Sequence, residues 1–482
     1  MEYIELAPDF RISRILTGLW QIADMEKDGN TLDPFETAKA MQPYVSAGFT
    51  TFDMADHYGS AEIISGYYRK HLATNKPVQL LTKWVPKPGK NTKETVRGAV
   101  QRALVRLQSE QLDLMQFHAW NYADPDWLDC LFWLQELQEE GLIKQIGVTN
   151  FNAAHLRIAL ASGIKIITNQ VSYSLIDQRA NANMTAVCEQ YGVKLLAFGT
   201  IAGGFLTEKW IDEIEPTMEQ LTTWSQMKYK RFIDAAGGWE KFQDLLKTIK
   251  QVAQKHEATM ANIASAYILH QKAVAGIILG ARLGKSEHIA ENQKIFDIKL
   301  SKDDFNLIKE AQQKLETIPG DCGDEYRKPP FLTASGDLSH HLETIPHPFE
   351  IQEGFEKRQK IFSGTVWEDM AGFCRAVRKG NRILVSGTTA THGDLMIGGN
   401  DPAAQTHFVI DKIQGAIESL GGKLEHVDRT RIFVRDIDQW EPIARAHGER
   451  FAHIQPANTL VEAKLVGEGY LVEIEAEANV TD

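Results

Sequence analysis

Hydrophobic positions in the first three hundred residues fall into short, nearly continuous apolar runs separated by longer stretches of helical periodicity. The runs are ILTGLW (15–20), TTFDMA (50–55), QLLTKW (79–84), LDLMQFHA (112–119), IKQIGVTN (143–150), IITNQVSY (166–173), KLLAFGT (194–200) and GIILGA (276–281). Strands that are apolar on both sides suit a parallel sheet covered by helices. Eight of them alternating with helices predict an α/β fold, a (β/α)8 TIM barrel over residues 1–317. In one helical interval Asp124-Pro125 reads as the start and Gly141 as the stop. Trp127, Leu131 and Leu134 recur between them at helical spacing. Segment 208–245, rich in Trp, Lys and Met, predicts a helical insertion on the barrel top.

A further helix starts near Ser301, with Asp304 three residues on in a capping-box arrangement. Periodicity then stops. Residues 318–355 are rich in Pro, Gly and His and read as a linker or an extended arm. Tyr326, Phe331 and Leu332 predict that the arm is docked. A second unit fills 356–482. Its β-like runs are 382–388, 430–436, 458–465 and 470–478, and one helix places Val409, Ile413, Ala416 and Leu420 on one face. A second helix covers about 440–451. Strands and helices that do not strictly alternate predict a small α+β domain.

Composition narrows the function classes. The chain has 482 residues and a formal net charge of −12, which weighs against a nucleic-acid partner. Its four cysteines have no metal-ligand spacing, so they read as reduced thiols of a cytoplasmic protein. The start, MEYIELAPDF, lacks the basic and apolar regions of a signal peptide, and no apolar run reaches membrane-spanning length.

The candidate chemistry lies at the ends of consecutive runs: Asp53, Tyr58, Lys83 and His118. In a β/α barrel, catalytic groups gather at the C-terminal ends of the strands. Reducing a carbonyl adds a hydride to carbon and a proton to oxygen. Tyr58 is the candidate acid. A free phenol titrates near ~10, and an adjacent Lys83 ammonium is expected to lower that value. Asp53 would hold Lys83, and His118 would orient the carbonyl oxygen. No metal is required, because Tyr58 and His118 can polarise the carbonyl. Taken singly, each has a plainer reading: a cap for Asp53, a wall aromatic for Tyr58, a surface charge for Lys83, a structural imidazole for His118.

The segment GFTTFDMADHYGSAE, followed by LLTKW and DLMQFH, resembles the aldo-keto reductase family across residues 8–315. That resemblance implies the tetrad Asp53, Tyr58, Lys83 and His118, and NADP(H) as cofactor. No GxGxxG follows a strand, so a Rossmann fold is not indicated. In the resembling family, the positions of Thr149, Asn150 and Gln170 orient the nicotinamide. Gly199, Thr200, Gly203 and Gly204 let backbone approach a pyrophosphate, although the sequence there, FGTIAGGFLTEK, departs from the family's YSPLGxG. Phe198 is the candidate aromatic for stacking on the nicotinamide. A helix start near Ser286 offers donors to phosphate, and Arg282 and Lys285 offer charge to a ribose 2′-phosphate. Glu287, His288 and Asn292 match the family's adenine contacts, in a stretch two residues longer than the commonest version. Trp20, Trp84 and Trp120 are expected to form an aromatic mouth for the substrate.

The run FCRAVRKGNRILVSGTTA, with QPANTLVEAKL and LVEIEAEA, resembles the RidA/YjgF family over 358–480, a chorismate-mutase-like fold. Members are trimers with clefts between subunits. The family's catalytic Arg is replaced by Asn458 in Pro456-Ala457-Asn458-Thr459, and Phe373 stands where a tyrosine often lies. Glu473 matches the acidic position, and Arg375 or Arg435 are candidates for restoring a positive cleft. Arg supplies a charged fork for a carboxylate, which Asn cannot. The reading is therefore an NADPH-dependent aldehyde or ketone reductase, with hydride from nicotinamide and proton from Tyr58, trimerised by its C-terminal domain. The alternatives are a non-catalytic NADP(H) sensor and a bifunctional reductase and imine deaminase.

Overall fold

The computed structural model describes residues 1–73 and 77–480. All eight apolar runs are strands, with ends shifted by at most two residues. They are β1 (Ile15–Gly18), β2 (Thr51–Asp53), β3 (Gln79–Trp84), β4 (Leu112–His118), β5 (Ile143–Thr149), β6 (Ile166–Ser172), β7 (Lys194–Phe198) and β8 (Val274–Gly280). They pair in parallel in chain order, and β8 closes onto β1 to complete a barrel.

The barrel interior is apolar at one end and polar at the other. Leu16, Leu81, Leu114, Leu196 and Ile278 form an inner cluster with Phe10 and Ile12. Both lie on the second strand of an antiparallel hairpin, Tyr3–Ala7 with Phe10–Ser13, that plugs this end. The sequence reading did not foresee the hairpin. The other end carries the polar side chains at the strands' C-termini.

The 208–245 segment is helical in part. Its main element is α2 (Trp224–Ala235), capped by the Thr223 hydroxyl; an earlier helix, α1 (Ala153–Ala161), follows β5 in the chain. The predicted capping box of Ser301 and Asp304 is present. The helix expected near Ser286 starts later, at Ile289, and runs only to Gln293, because residues 282–286 turn back on themselves through an Arg282–Ser286 bridge. The helix after Pro125 begins at Asp126, and the Asp124 carboxylate accepts from the Asp126 amide.

The segment after residue 318 is docked on its own barrel. Tyr326 and Phe331 are buried, whereas Leu332 is exposed. Arg327 donates to Ala119 O at 2.6 Å and to Asn150 O at 2.8 Å, so the arm is tied to the ends of β4 and β5. Gly323 has φ +82°, and a Cβ there would meet Asn150 O at 1.9 Å. Only glycine allows this approach.

The C-terminal sheet runs β9 (Gln352–Glu353), β10 (Gln359–Ile361), β11 (Ala376–Lys379), β12 (Arg382–Thr389), β15 (Val472–Asn479), β13 (Val427–Val434) and β14 (Ala457–Glu462) in spatial order. A short helix, Val366–Ala371, and two longer ones, α3 (Pro402–Ser419) and α4 (Trp440–Phe451), belong with this sheet to the unit. Nearly all of α3 is buried, since it lies between its own sheet and α1 of the barrel. No helix among the described residues is long and apolar enough to cross a membrane. All four cysteines are free, and no group of residues suited to a metal ion occurs among those described.

Candidate active site

The polar end of the barrel opens into a cavity of about 450 Å³ that is lined by Asp53, Tyr58, Lys83 and His118. Asp53 and His118 are the last residues of β2 and β4, and Lys83 is one before the end of β3. The Lys83 ammonium is 2.7 Å from Asp53 Oδ2 and 2.8 Å from Met54 O. It also stands 4.9 Å from the centre of the Tyr58 ring. Tyr58 sits in the β2 loop, which is pinned where the amide and hydroxyl of Ser60 donate to Glu26. Trp20 meets the Tyr58 ring edge-on at 4.9 Å.

Asp53 is shared. Its second oxygen accepts from Gln170 Nε2 at 2.7 Å and Gln116 Nε2 at 3.2 Å. The carboxylate is therefore held from three strands, and it holds Lys83 in turn. Burial lowers the Lys83 pKa, and the Asp53 charge opposes that effect. Burial pushes the Tyr58 phenol well above its ordinary value, with Asp53, Asp337 and Asp56 adding to the effect. This corrects the expectation that Lys83 lowers it. The ammonium is directed at Asp53, and the surrounding carboxylates disfavour a phenolate.

His118 is buried, and its imidazole is held well below its ordinary pKa by burial first and by the Arg327 charge second. It is neutral near pH 7. Asn150 Nδ2 lies 3.4 Å from His118 Nδ1, and His118 Nε2 is buried with no hydrogen-bond partner among the described residues.

Of the expected cofactor residues, Thr149, Asn150, Gln170, Gly199, Thr200, Gly204, Arg282, His288 and Asn292 line the same cavity. Asn150 Oδ1 and Arg282 Nε are buried without partners, so an acceptor and a donor remain open at two places in one cavity. Gln170 differs from expectation, because its amide nitrogen is spent on Asp53 and Gln116. Glu287 is exposed and does not reach the cavity wall, a consequence of the tight turn at 282–286. Gly199 has φ +77°, and a Cβ there would strike Tyr229 Oη at 2.0 Å.

Trp20 and Trp120 line the cavity, but Trp84 does not. Trp84 points away from the barrel axis and packs on Phe117 at 5.4 Å. The alternation of a strand explains this: Lys83 faces inward, so its neighbour faces outward. Trp224, Lys228 and Tyr229 of α2, and Tyr326 and Asp337 of the arm, complete the wall and were not foreseen as site residues. The i, i+4 spacing of Trp224 and Lys228 in the flagged insertion was the available signal. Gln116, two residues before His118 on β4, was likewise available from period-two alternation.

In the C-terminal unit, Asn458 Nδ2 donates to Thr430 Oγ1, whose hydroxyl lies 2.9 Å from His447 Nε2. Arg375 is buried and donates to Gly387 O at 2.7 Å, and the Glu473 carboxylate also abuts Gly387. Phe373 lies under the Arg375 guanidinium at 5.8 Å. Arg435 is instead tied to Gly467 O.

Residues 14–313 match the family model for the aldo/keto reductase family. The chain belongs to the aldo/keto reductase family. Residues 367–480 match a second model, described as endoribonuclease L-PSP. Over 331 residues the barrel is 26% identical to an NADH-specific methylglyoxal reductase of Escherichia coli, covering 64% of this chain and 97% of that protein. It is also 26% identical over 295 residues to an aldo-keto reductase of Strobilurus tenacellus, covering 59% and 83%. The C-terminal unit is 36% identical over 124 residues to an uncharacterized protein of Streptomyces coelicolor, covering 26% of this chain and 92% of that protein. Among solved structures, a glycerol dehydrogenase from Gluconobacter oxydans shares the barrel fold, with TM-score 0.55 at 21% identity over 66% of this chain and 97% of its own. The chain thus joins an aldo/keto reductase barrel to a RidA/YjgF-like domain, and its reaction type is oxidoreduction of a carbonyl group with a nicotinamide cofactor.

Proposed function

We propose that the barrel reduces an aldehyde or ketone to an alcohol with NADPH, and that Tyr58 delivers the proton. The observation that carries this reading is the convergence of Tyr58, Lys83, Asp53 and His118 on one cavity. His118 Nε2, neutral and without a partner, is free to donate to a carbonyl oxygen and orient it. Tyr58 keeps its proton near pH 7, because burial and neighbouring carboxylates raise its pKa. It is therefore loaded as an acid for the reductive direction. Asp53 holds the Lys83 ammonium 4.9 Å from the centre of the Tyr58 ring.

The cavity suits a nicotinamide dinucleotide. Asn150 Oδ1 is an open acceptor for a carboxamide N–H, Gly204 leaves backbone uncovered, and Arg282 Nε is an open donor. When bound, a reduced nicotinamide supplies the hydride that adds to the carbonyl carbon. Arg282 favours the 2′-phosphate of NADPH, although the Escherichia coli relative is NADH-specific by name. The decisive measurement is oxidation of NADPH and of NADH with a panel of simple aromatic and aliphatic aldehydes. Tyr58→Phe is expected to abolish turnover with NADPH binding retained. No turnover across the panel, or full activity in Tyr58→Phe, overturns the mechanism.

The C-terminal unit is proposed to assemble the chain as a homotrimer. The outer face of its sheet exposes Leu384 and Val461, opposite the face that α3 covers. Light scattering of the full-length chain tests this, and a monomer contradicts it. With Asn458 committed to Thr430, imine hydrolysis of carboxylate-bearing substrates is not assigned to this unit.

A further inference from the structure

Three polar side chains in the cavity, Lys228, Tyr326 and Asp337, have no direct contact role in the reduction derived above, although the Asp337 charge helps to raise the Tyr58 pKa. Lys228, on α2, is 5% exposed, yet its ammonium faces the cavity. It donates to Tyr326 Oη at 2.5 Å, and the nearest carboxylate oxygen, Asp337 Oδ2, is 3.9 Å away, beyond hydrogen-bond reach. Its other near neighbours are ring faces, with Phe198 at 4.8 Å and Tyr326 at 4.5 Å. A buried ammonium has three donors, and leaving them unfilled is costly. Tyr326 stands edge-on to His118 at 5.6 Å, so this cluster adjoins the point where the carbonyl is oriented.

Tyr326 and Asp337 belong to the arm, between the two family matches, which end at 313 and begin at 367. The arm is seated firmly: a Cβ on Gly336 would meet the Trp224 ring at 2.2 Å, and Arg327 is bonded to Ala119 O and Asn150 O. The cavity therefore receives a carboxylate and a phenol from a segment outside the barrel-family match, beside the Lys228 cation of α2. Trp20, Trp120 and Trp224 add apolar wall.

A carboxylate ligand would suit Lys228 but would meet repulsion from Asp337. A purely apolar ligand would leave both charges unsatisfied. A hydroxyl group satisfies both, because it accepts from Lys228 and donates to Asp337. Neighbouring hydroxyls on a short carbon chain would engage the pair and Tyr326 together. We propose that Lys228, Tyr326 and Asp337 form a hydroxyl-recognition subsite, and that the substrate is a hydroxylated aldehyde or ketone. This rests on the carbonyl-reductase reading of the same cavity.

The test compares D-glyceraldehyde with propanal, and with the 2-oxo acid pyruvate, in the full-length protein with NADPH. The wild type is expected to favour glyceraldehyde over propanal by at least about tenfold in kcat/KM, since a site built to bond a hydroxyl rejects the analogue lacking it. Lys228→Met and Asp337→Asn are each expected to cut that ratio about tenfold, mainly through KM for glyceraldehyde. Equal turnover of the two aldehydes, equal losses on both in the variants, or a preference for pyruvate overturns the proposal. A second readout separates it from the reductase reading: tryptophan fluorescence titrated with erythritol, which cannot be reduced. Saturable quenching that Lys228→Met weakens supports the subsite even if no aldehyde is turned over. Absence of quenching in the wild type overturns it.

Discussion

His155 Nε2 lies 2.9 Å from Asp411 Oδ2, and both side chains are almost wholly withdrawn from water. His155 belongs to α1 of the barrel and Asp411 to α3 of the C-terminal unit, so this contact joins the two. Arg450 of α4 closes the cluster at 2.6 Å from the other Asp411 oxygen. Burial alone would raise the Asp411 pKa, but His155 and Arg450 outweigh it and hold the carboxyl below its ordinary value. His155 stacks on Tyr122 at 3.5 Å, and Arg327 of the arm lies over the same Tyr122 ring at 4.5 Å. A packed chain of groups therefore runs from the C-terminal unit to the arm.

Removing Asp411 leaves a buried guanidinium and an imidazole without their partner. Asp411→Ala is expected to lower stability by about 3–5 kcal/mol, as for other broken buried ion pairs. Denaturant unfolding measures the loss, and limited proteolysis of the arm should become faster. An unchanged midpoint would mean that the two units do not support one another.

Arg327 is predicted to set the acid limb of activity. It depresses the His118 pKa, second only to burial, and so preserves the neutral imidazole as pH falls. Arg327→Gln removes that charge. The His118 pKa then rises towards its ordinary value, and the acid limb of kcat/KM moves to higher pH. A pH–rate profile reads the shift directly, and an unmoved limb would remove His118 from its assigned role.

Arg282 is predicted to choose between cofactors. Its Nε is buried and unpartnered on the cavity wall. Arg282→Ala should weaken NADPH binding at least about tenfold while sparing NADH, because a charged fork on a phosphate is worth well over one kcal/mol. Fluorescence titration with each cofactor checks this. Equal weakening of both would place Arg282 elsewhere than the 2′-phosphate.

Acid should destabilise the C-terminal unit through His447. Burial pulls this imidazole down to about 4, and its Nε2 faces the Thr430 hydroxyl. An unfolded chain binds the proton near ~6.5, but the folded one does so only near 4. Stability is thus complete above about 6.5 and declines as pH falls towards 4. Melting temperatures measured across that window should drop, and His447→Gln should flatten the slope.

The barrel was legible because buried parallel strands must be apolar on both sides, which leaves eight recognisable runs. The placing of Asp53, Lys83 and His118 on one cavity was legible because strand ends carry them, and a strand end is visible in the sequence; Tyr58 follows in the β2 loop. Trp84 was misplaced for the opposite reason: adjacency to Lys83 in the chain means opposite faces of the strand. The hairpin at Tyr3–Ala7 escaped notice because its role, plugging the barrel, exists only once the barrel has closed. Tyr58 shows the limit of pairwise reasoning. Lys83 is near it as expected, yet burial and three carboxylates decide the direction of its pKa.

What the sequence determined by itself was the eight barrel strands, the capping box of Ser301 and Asp304 and the polar residues at the strand ends, all of which depend on local pattern. What only the tertiary structure decided was which distant groups share one cavity. Lys228, Tyr326 and Asp337 come from a helix and an arm about a hundred residues apart, and meet because the arm folds back over its own barrel. No periodicity records that return, since the arm is held by single contacts such as Arg327 on Asn150 O and Gly323 against the same carbonyl.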